Sequence, residues 1–272
     1  MHVRVKAFLI HLGISTLVVS LAFGLVFGVW YPPPFSFVQD VFGVAITLVA
    51  VDLVVGPLLT LIVYKPGKKS LKFDLAMVGL MQVVALCYGL LVCFESRPVY
   101  AVYNAGRFST VNPDEYIDAE NAKTPKNHPY PRYSLTGPEW IGARAPSPLS
   151  DQDRFFISFS TESGGGMRIM PRLYTPYASI AKEAAAAGTP VEQIDFDATT
   201  SSAKTQPGHD KRGPATASER AKVRQWVQEL GVAPNKVVLV PLVGSKRVGI
   251  VALDAGDGRI LDSIGVAPWW RF

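Results

Sequence analysis

The stretch Phe42–Tyr64, FGVAITLVAVDLVVGPLLTLIVY, decides how the chain is read. A helix crossing the roughly 30 Å hydrocarbon core of a bilayer needs about 20 apolar residues, and this run supplies them. Two features interrupt it. Asp52 stands near the midpoint, and the pair Gly56-Pro57 follows one turn later. A lone carboxyl at mid-bilayer costs roughly 2.5–3.5 kcal/mol on insertion scales, so the chain is expected to give Asp52 a partner. Pro57 has no N–H for the carbonyl of Leu53, which predicts a kink beside the acid. An acid and a kink at one depth mark a packing or partner site.

Two further apolar runs flank this one, and the sequence predicts spans over residues 7–30, 42–64 and 73–94. The first follows a short basic start, Met1 to Lys6. It lacks an A-x-A-like cleavage site and ends in Trp30-Tyr31, so it reads as an uncleaved helix with an interfacial anchor and not as a signal peptide. Thr16, Ser20, Gly24 and Gly28 recur every fourth residue in it and form a candidate helix-packing face, either for the neighbouring spans or for a foreign helix. The third span carries Gln82 near its middle. Gln82, Ser15, Thr16 and Ser20 are the available partners for Asp52, with protonation in place as the alternative. A proton or ion pathway normally needs more than one ionisable group at depth, and only Asp52 is present. Asp52, Gly56, Pro57 and Gln82 therefore form the candidate intramembrane or partner site.

Arg4, Lys6, Lys65, Lys68, Lys69 and Lys72 all fall on one side of this arrangement, and the loop from Pro32 to Asp40 has no Lys or Arg. The positive-inside rule puts the amino terminus in the cytoplasm and, after three spans, the carboxy-terminal part outside. The chain divides into a three-helix transmembrane domain, residues 1–95, and an extracytoplasmic α+β domain, residues 96–272. Both cysteines, Cys87 and Cys93, lie in the third span, so the outer domain relies on no disulfide. The net charge of +5 comes with no nucleic-acid motif, and topology accounts for the clustered lysines.

In the outer domain, Arg97–Val111 reads as two strands around Asn104-Ala-Gly106, and Pro113–Ala122 as a short acidic helix. Residues 123–148 are proline-rich and irregular, pinned by Tyr130, Tyr133 and Trp140. Phe155–Ser160 alternates as a strand, and Gly164-Gly165-Gly166 is a turn. Ile180–Ala187 is a helix closed by Gly188, and residues 198–214 form a polar, mobile loop. Thr216-Ala-Ser-Glu219 is a capping box for a helix burying Val223, Trp226, Val227 and Leu230. Three strands, Lys236–Val243, Arg247–Asp254 and Arg259–Ile264, then build a carboxy-terminal antiparallel sheet.

Nothing in the sequence argues for catalysis. The four histidines are scattered, no paired His or Cys spacing suits a metal, and no nucleophile motif is present. Asp195 with Asp197, and Asp254 with Asp257, read as turn formers and not as acid–base pairs. No cofactor is expected.

Several strings do carry a resemblance. Asp52-Leu-Val-Val-Gly-Pro-Leu-Leu-Thr-Leu61 is followed by Lys65-Pro-Gly-Lys-Lys-Ser-Leu-Lys-Phe-Asp-Leu75. Gln82, Ala85 and Tyr88-Gly89 then come in the third span, Arg97-Pro-Val-Tyr100 after it, and Val240-Pro-Leu and Pro268-Trp269 near the end. Together they resemble the TfpX/TfpZ family of type IV pilin accessory proteins. The resemblance implies a non-enzymatic, multi-pass protein of a bacterial inner membrane with a periplasmic domain. Its implied partners are a cognate type IV major pilin and the bilayer. The competing class is a membrane-anchored sensor or transporter component whose outer domain binds a small ligand.

Overall fold

The computed structural model describes residues 3–116, 124–125, 127–151, 153–154, 157–158, 166–197 and 215–270. The chain forms two compact units. One holds the residues up to Pro32 together with Val41–Ser96; the other holds Pro33–Asp40 together with the chain from Arg97 onward.

The first unit consists of three helices long and apolar enough to cross a membrane: Val3–Trp30, Phe42–Val63 and Leu71–Glu95. Two of them contain a wide π turn, at Val26–Trp30 and at Ala50–Val55. Each wide turn precedes a proline, Pro32 or Pro57. Around Asp52, the Gly56 N–H bonds the carbonyl of Val51, five residues back. The helix resumes at Gly56–Val63 with Pro57 at its first turn, where the missing N–H is tolerated. A π turn therefore stands where the sequence predicts a proline kink, because one extra residue in the turn shifts the hydrogen-bond register ahead of the proline.

The first helix buries Ser15, Val19, Ala22, Val26 and Trp30. Gly89 of the third helix has no side chain where Leu48 of the second lies, and a Cβ there would overlap it. The end near Trp30 is closed by aromatic groups: Trp30 packs edge-on to Phe94 at 5.3 Å, and the Tyr31 hydroxyl donates to the Cys93 carbonyl at 2.8 Å.

The second unit is built on one mixed, eight-stranded sheet that curls into a half-barrel. Its strands are β1 Tyr100–Asn104, β2 Arg107–Val111, β3 Glu139–Ala143, β4 Tyr174–Pro176, β5 Thr189–Pro190, β6 Val237–Val243, β7 Val248–Asp254 and β8 Ile260–Ile264. They run in the order β4-β3-β1-β2-β6-β7-β8, with β5 also on β6. β1 pairs β3 in parallel and β2 pairs β6 in parallel; the other pairs are antiparallel. The carboxy-terminal antiparallel sheet is thus one half of a larger sheet. β3, β4 and β5 are additions to the sequence reading, since residues 139–143 look irregular among prolines and β4 and β5 are too short for a period. Ile157 and Ser158 are helical, not extended, and the rest of the predicted strand at 155–160 lies outside the described residues. Pro113–Glu115 forms a short 3-10 turn with an Asn112 capping box, Tyr116 is extended, and residues 117–122 of that predicted helix and the loop 198–214 also lie outside the described residues.

The apolar run of β6 is continuous because both faces of the sheet are covered. Val238, Val240 and Leu242 join Val251 and Leu253 of β7 on one face, with the short helix Ala181–Ala187. Val237 and Leu239 join Ile250 and Ala252 on the other, under Val223, Trp226 and Val227 of the helix Ala217–Glu229. Period-two alternation assigns these residues to the two faces. The helix Ala217–Glu229 is capped as its sequence predicts: the Thr216 side chain accepts from the Glu219 N–H, and Glu219 returns to the Thr216 N–H at 2.8 Å. Trp226 Nε1 donates to Asp262 of β8 at 2.7 Å, tying helix to sheet edge.

Gly258 turns the chain between β7 and β8 at φ 77°, and a Cβ there would strike the Ala181 carbonyl at the start of the helix Ala181–Ala187. Gly258→Ala is expected to cost roughly 1–3 kcal/mol, combining a left-handed backbone with overpacking. A lowered urea midpoint for tryptophan fluorescence checks this; an unchanged midpoint would mean that the turn relaxes freely.

Candidate functional site

A polar seam runs between the first two apolar helices and is met by the third. On the second helix Asp52, Gly56 and Thr60 recur every fourth residue and so share a face; on the first, His11 and Ser15 do the same. Asp52 is 4% exposed and Thr60 3%. The Gln82 carboxamide nitrogen of the third helix lies 3.2 Å from the Asp52 carbonyl, 3.4 Å from its Oδ1 and 3.5 Å from Ser15 Oγ. One turn along, His11 Nδ1 sits 2.5 Å from Thr60 Oγ1.

Gly56 makes the seam possible. A Cβ at that position would overlap the Gln82 carboxamide, so only glycine lets the amide lie against the Asp52 backbone. Pro57 is buried beside it. Asp52 Oδ2 and Gln82 Oε1 are buried without a hydrogen-bond partner. Both are acceptors, so a proton on Asp52 or a donor from another molecule would meet the unfilled demand. His11 and Thr60 belong to the same seam, although the sequence reading does not include them. The i, i+4 spacing of 52, 56 and 60 is the signal that points to Thr60.

The small residues of the first helix fall elsewhere. Thr16, Ser20, Gly24 and Gly28 are all exposed within the chain, and no atom lies within 4 Å of a Cβ built on Gly24 or Gly28. Internal packing uses the Ser15, Val19, Ala22 and Val26 face instead. Larger side chains there bury more apolar area against the neighbouring helices.

The second unit has its own polar focus, centred on the segment Pro33–Asp40. This segment, which the sequence reading treats as a loop between spans, is an integral part of the folded unit. Phe35–Val38 forms one helical turn, and Val38 is fully buried. The Val38 carbonyl accepts from the N–H groups of Lys246 and Arg247 at 3.2 and 3.0 Å. Gln39 donates to Asn112 Oδ1 at 2.8 Å and to Thr110 Oγ1 at 3.2 Å, and its Oε1 accepts from the Ser245 hydroxyl and N–H. Asp40 pairs with Arg247 at 2.6 Å. Gly244 and Gly265 are bare where Val38 and Phe37 sit, since a Cβ at either would overlap them.

The acid pairs of the second unit are turn formers. Asp254 accepts from the N–H groups of Gly256 at 2.8 Å and Asp257 at 3.3 Å, and these bonds hold its carboxyl below the usual carboxylate range. Asp195 caps the Asp197 N–H at 2.9 Å, and Asp197 pairs with Arg224 at 2.8 Å. A buried tyrosine cluster lies under β1. Tyr174 donates to the Arg168 carbonyl and meets the Tyr116 hydroxyl at 3.3 Å, and burial pushes both phenols up. Among the described residues no three His, Cys, Asp or Glu side chains converge as metal ligands.

The structure thus gives three helices long and apolar enough to cross a membrane, followed by a sheet-rich unit, and comparisons with known proteins say what such a chain is similar to. Residues 1–39, the first helix and the segment ending at Gln39, match the family model described as Fimbrial assembly protein FimB. The chain is 34% identical over 96 residues to the fimbrial assembly protein of serogroups C1 and C2 of Dichelobacter nodosus, covering 35% of this chain and 73% of that protein. It belongs to the fimbrial assembly protein family. The serogroup I and serogroup E1 proteins of the same organism are 31% and 33% identical over 110 and 96 residues, or 40% and 35% of this chain. Those matches span only 43% and 37% of the two relatives' own length. No solved structure matches the chain significantly.

Proposed function

We propose that this protein is a non-enzymatic accessory factor of type IV pilus assembly that stabilises a cognate major pilin or promotes its entry into the fibre. The observation that carries the reading is the match of residues 1–39 to the fimbrial assembly family model, together with relatives named fimbrial assembly proteins. The resemblance to TfpX/TfpZ proteins, in the strings around Asp52-Gly56-Pro57 and Arg97-Pro-Val-Tyr100, narrows it to type IV pilins. In this reading the three apolar helices span the inner membrane with the amino terminus in the cytoplasm, and the second unit is periplasmic.

A pilin awaiting assembly presents a membrane helix and a globular head on the outer side, and the two units of this protein address those two parts. The exposed stripe Thr16, Ser20, Gly24 and Gly28 offers a pilin helix close backbone approach. The seam of Asp52, Gly56, Pro57 and Gln82 holds the helices that present the stripe. Its unfilled acceptors also suit a polar donor near the start of the pilin helix.

The decisive experiment compares total pilin with sheared surface pilin in cells with and without the gene. Loss of surface pilin with total pilin maintained is the expected result for action at assembly, and loss of both is expected for protection of the membrane-held subunit. No change in a strain carrying the cognate pilin would overturn the proposal.

A further inference from the structure

Exposed large hydrophobic side chains are distributed unevenly in this protein. Among the described residues they lie between Val3 and Leu91, on or beside the apolar helices, with two exceptions: Tyr133 at 56% exposure and Leu135 at 78%. These two flank Ser134 in one short loop of the second unit. Elsewhere the described residues of that unit expose no large apolar group, so this pair calls for an apolar partner.

Two ties fix where the loop stands. The first runs through Arg97, which follows Glu95, the last residue of the third apolar helix, by only two positions. Two residues extend the chain by at most about 7 Å. Arg97 is fully buried, and its guanidinium donates to the Ser134 carbonyl. The second tie runs through Arg132, next to Tyr133, whose Nε donates to the Pro113 carbonyl at 2.8 Å. Asn112, the residue before Pro113, accepts from Gln39. Gln39 precedes Phe42, where the second apolar helix begins, by three residues, a reach of about 10 Å. The residues that leave the third helix and enter the second therefore hold the same loop from two sides.

We propose that Tyr133 and Leu135 form a bilayer anchor, seating the loop in the headgroup and acyl boundary of the outer leaflet. This rests on the membrane placement given under the proposed function. The loop chemistry fits that depth. A tyrosine and a leucine supply the amphipathic and apolar groups that interfaces favour. The Arg132 guanidinium lies 5.4 Å from the centre of the Tyr133 ring, where a cation can reach lipid phosphate while its stem stays against the apolar surface. The anchor would limit the tilt of the second unit on its tethers and so fix the height at which its remaining surface meets a partner.

The test uses the full chain carrying Cys87→Ser and Cys93→Ala, reconstituted in vesicles of phosphatidylethanolamine and phosphatidylglycerol. An environment-sensitive fluorophore is placed at one new cysteine at a time: Tyr133→Cys, Leu135→Cys, Leu21→Cys on the exposed side of the first helix, or Ala255→Cys at the exposed turn after β7. Lipids carrying a nitroxide at a shallow position are expected to quench positions 133 and 135 by about two-fold, with blue-shifted emission, and to leave position 255 unquenched. Water-like, unquenched emission at both 133 and 135, with position 21 quenched by deep nitroxides, would overturn the anchor while leaving membrane insertion intact. Shielding that appears only when pilin is co-reconstituted would assign the loop to a protein partner and also overturn it. Absence of quenching at position 21 would remove the membrane placement itself, and the anchor with it.

Discussion

Residues 97–272 produced without the Pro33–Asp40 segment are expected to show no cooperative unfolding transition. The missing piece is small, but its contacts are central. Phe35 and Val38 belong to the cluster that includes Val240, Leu242, Val251 and Leu253, and their burial is worth roughly 3–6 kcal/mol together. Removing Gln39 also strips Thr110, Asn112 and Ser245 of hydrogen-bond partners, and removing Val38 leaves the Lys246 and Arg247 N–H groups without their acceptor. Of these, Thr110 and Asn112 are buried, and unmet buried groups cost about 1–3 kcal/mol each, against a total stability of about 5–15 kcal/mol for a typical domain. Joining the segment Pro33–Asp40 to Arg97 through a flexible linker is expected to restore a single sharp transition. Urea melts followed by tryptophan fluorescence and near-ultraviolet circular dichroism read both forms. Equal midpoints with and without the segment would show that it is a passenger. In the intact chain, Val38→Asp should reproduce the loss, since an unpaired carboxylate at a fully buried position is strongly destabilising.

The second large effect is expected at Gly56. A side chain there overlaps the Gln82 carboxamide, which has little room to retreat because it also faces Asp52 and Ser15. Gly56→Val should push the third helix from the second and lower the thermal stability of the purified protein, by roughly 1–3 kcal/mol from overpacking alone. The lost amide contacts add to that. Gly24→Leu is the matched control, because the space beside Gly24 is open. Its stability should stay within a few tenths of a kcal/mol of the parent. If the stripe receives a pilin helix, Gly24→Leu should nevertheless reduce pilin co-purification and surface piliation. Asp52→Asn separates the two roles ascribed to the seam. Retained stability with lost pilin capture would support a donor from the pilin, whereas unchanged capture and piliation would end that pairing proposal. Full stability in Gly56→Val would show that the three helices are not packed around Gln82.

Local signals were readable where a short stretch of chain carries its own physics. The apolar runs announce three long helices through length and composition alone. The Thr216 to Glu219 capping box is a contact within four residues, and it forms as its spacing predicts. The strands β6, β7 and β8 are legible from apolar β-branched runs separated by tight turns. The hairpin of β1 and β2 is likewise marked by Asn104-Ala-Gly106, where Ala105 and Gly106 take left-handed backbones.

Other elements depended on distant partners. β3 lies in a proline-rich stretch and becomes a strand because β1 offers it a parallel edge. Pro57 signals a kink in sequence, yet the π turn at Ala50–Val55 appears only in the folded hydrogen-bond register. The face that the first helix buries could not be chosen from periodicity, since small residues and larger apolar residues mark two different stripes on it. The larger ones won, through greater area buried.

The hydropathy of residues 3–95, the one acid near the middle of their apolar runs, and the local caps and turns of the second unit are all legible from the chain alone. Each of these is set by hydropathy, charge or contacts a few residues apart. Packing alone gathers Gln82 and Ser15 at Asp52, brings His11 to Thr60, and lets Val38 and Gln39 complete a sheet built from residues far along the chain. The side-chain pairings among these join groups separated by 30 to 206 positions. Their geometry exists only once backbones have packed, because a chain of that length leaves the encounter of any two side chains to the fold and not to their spacing.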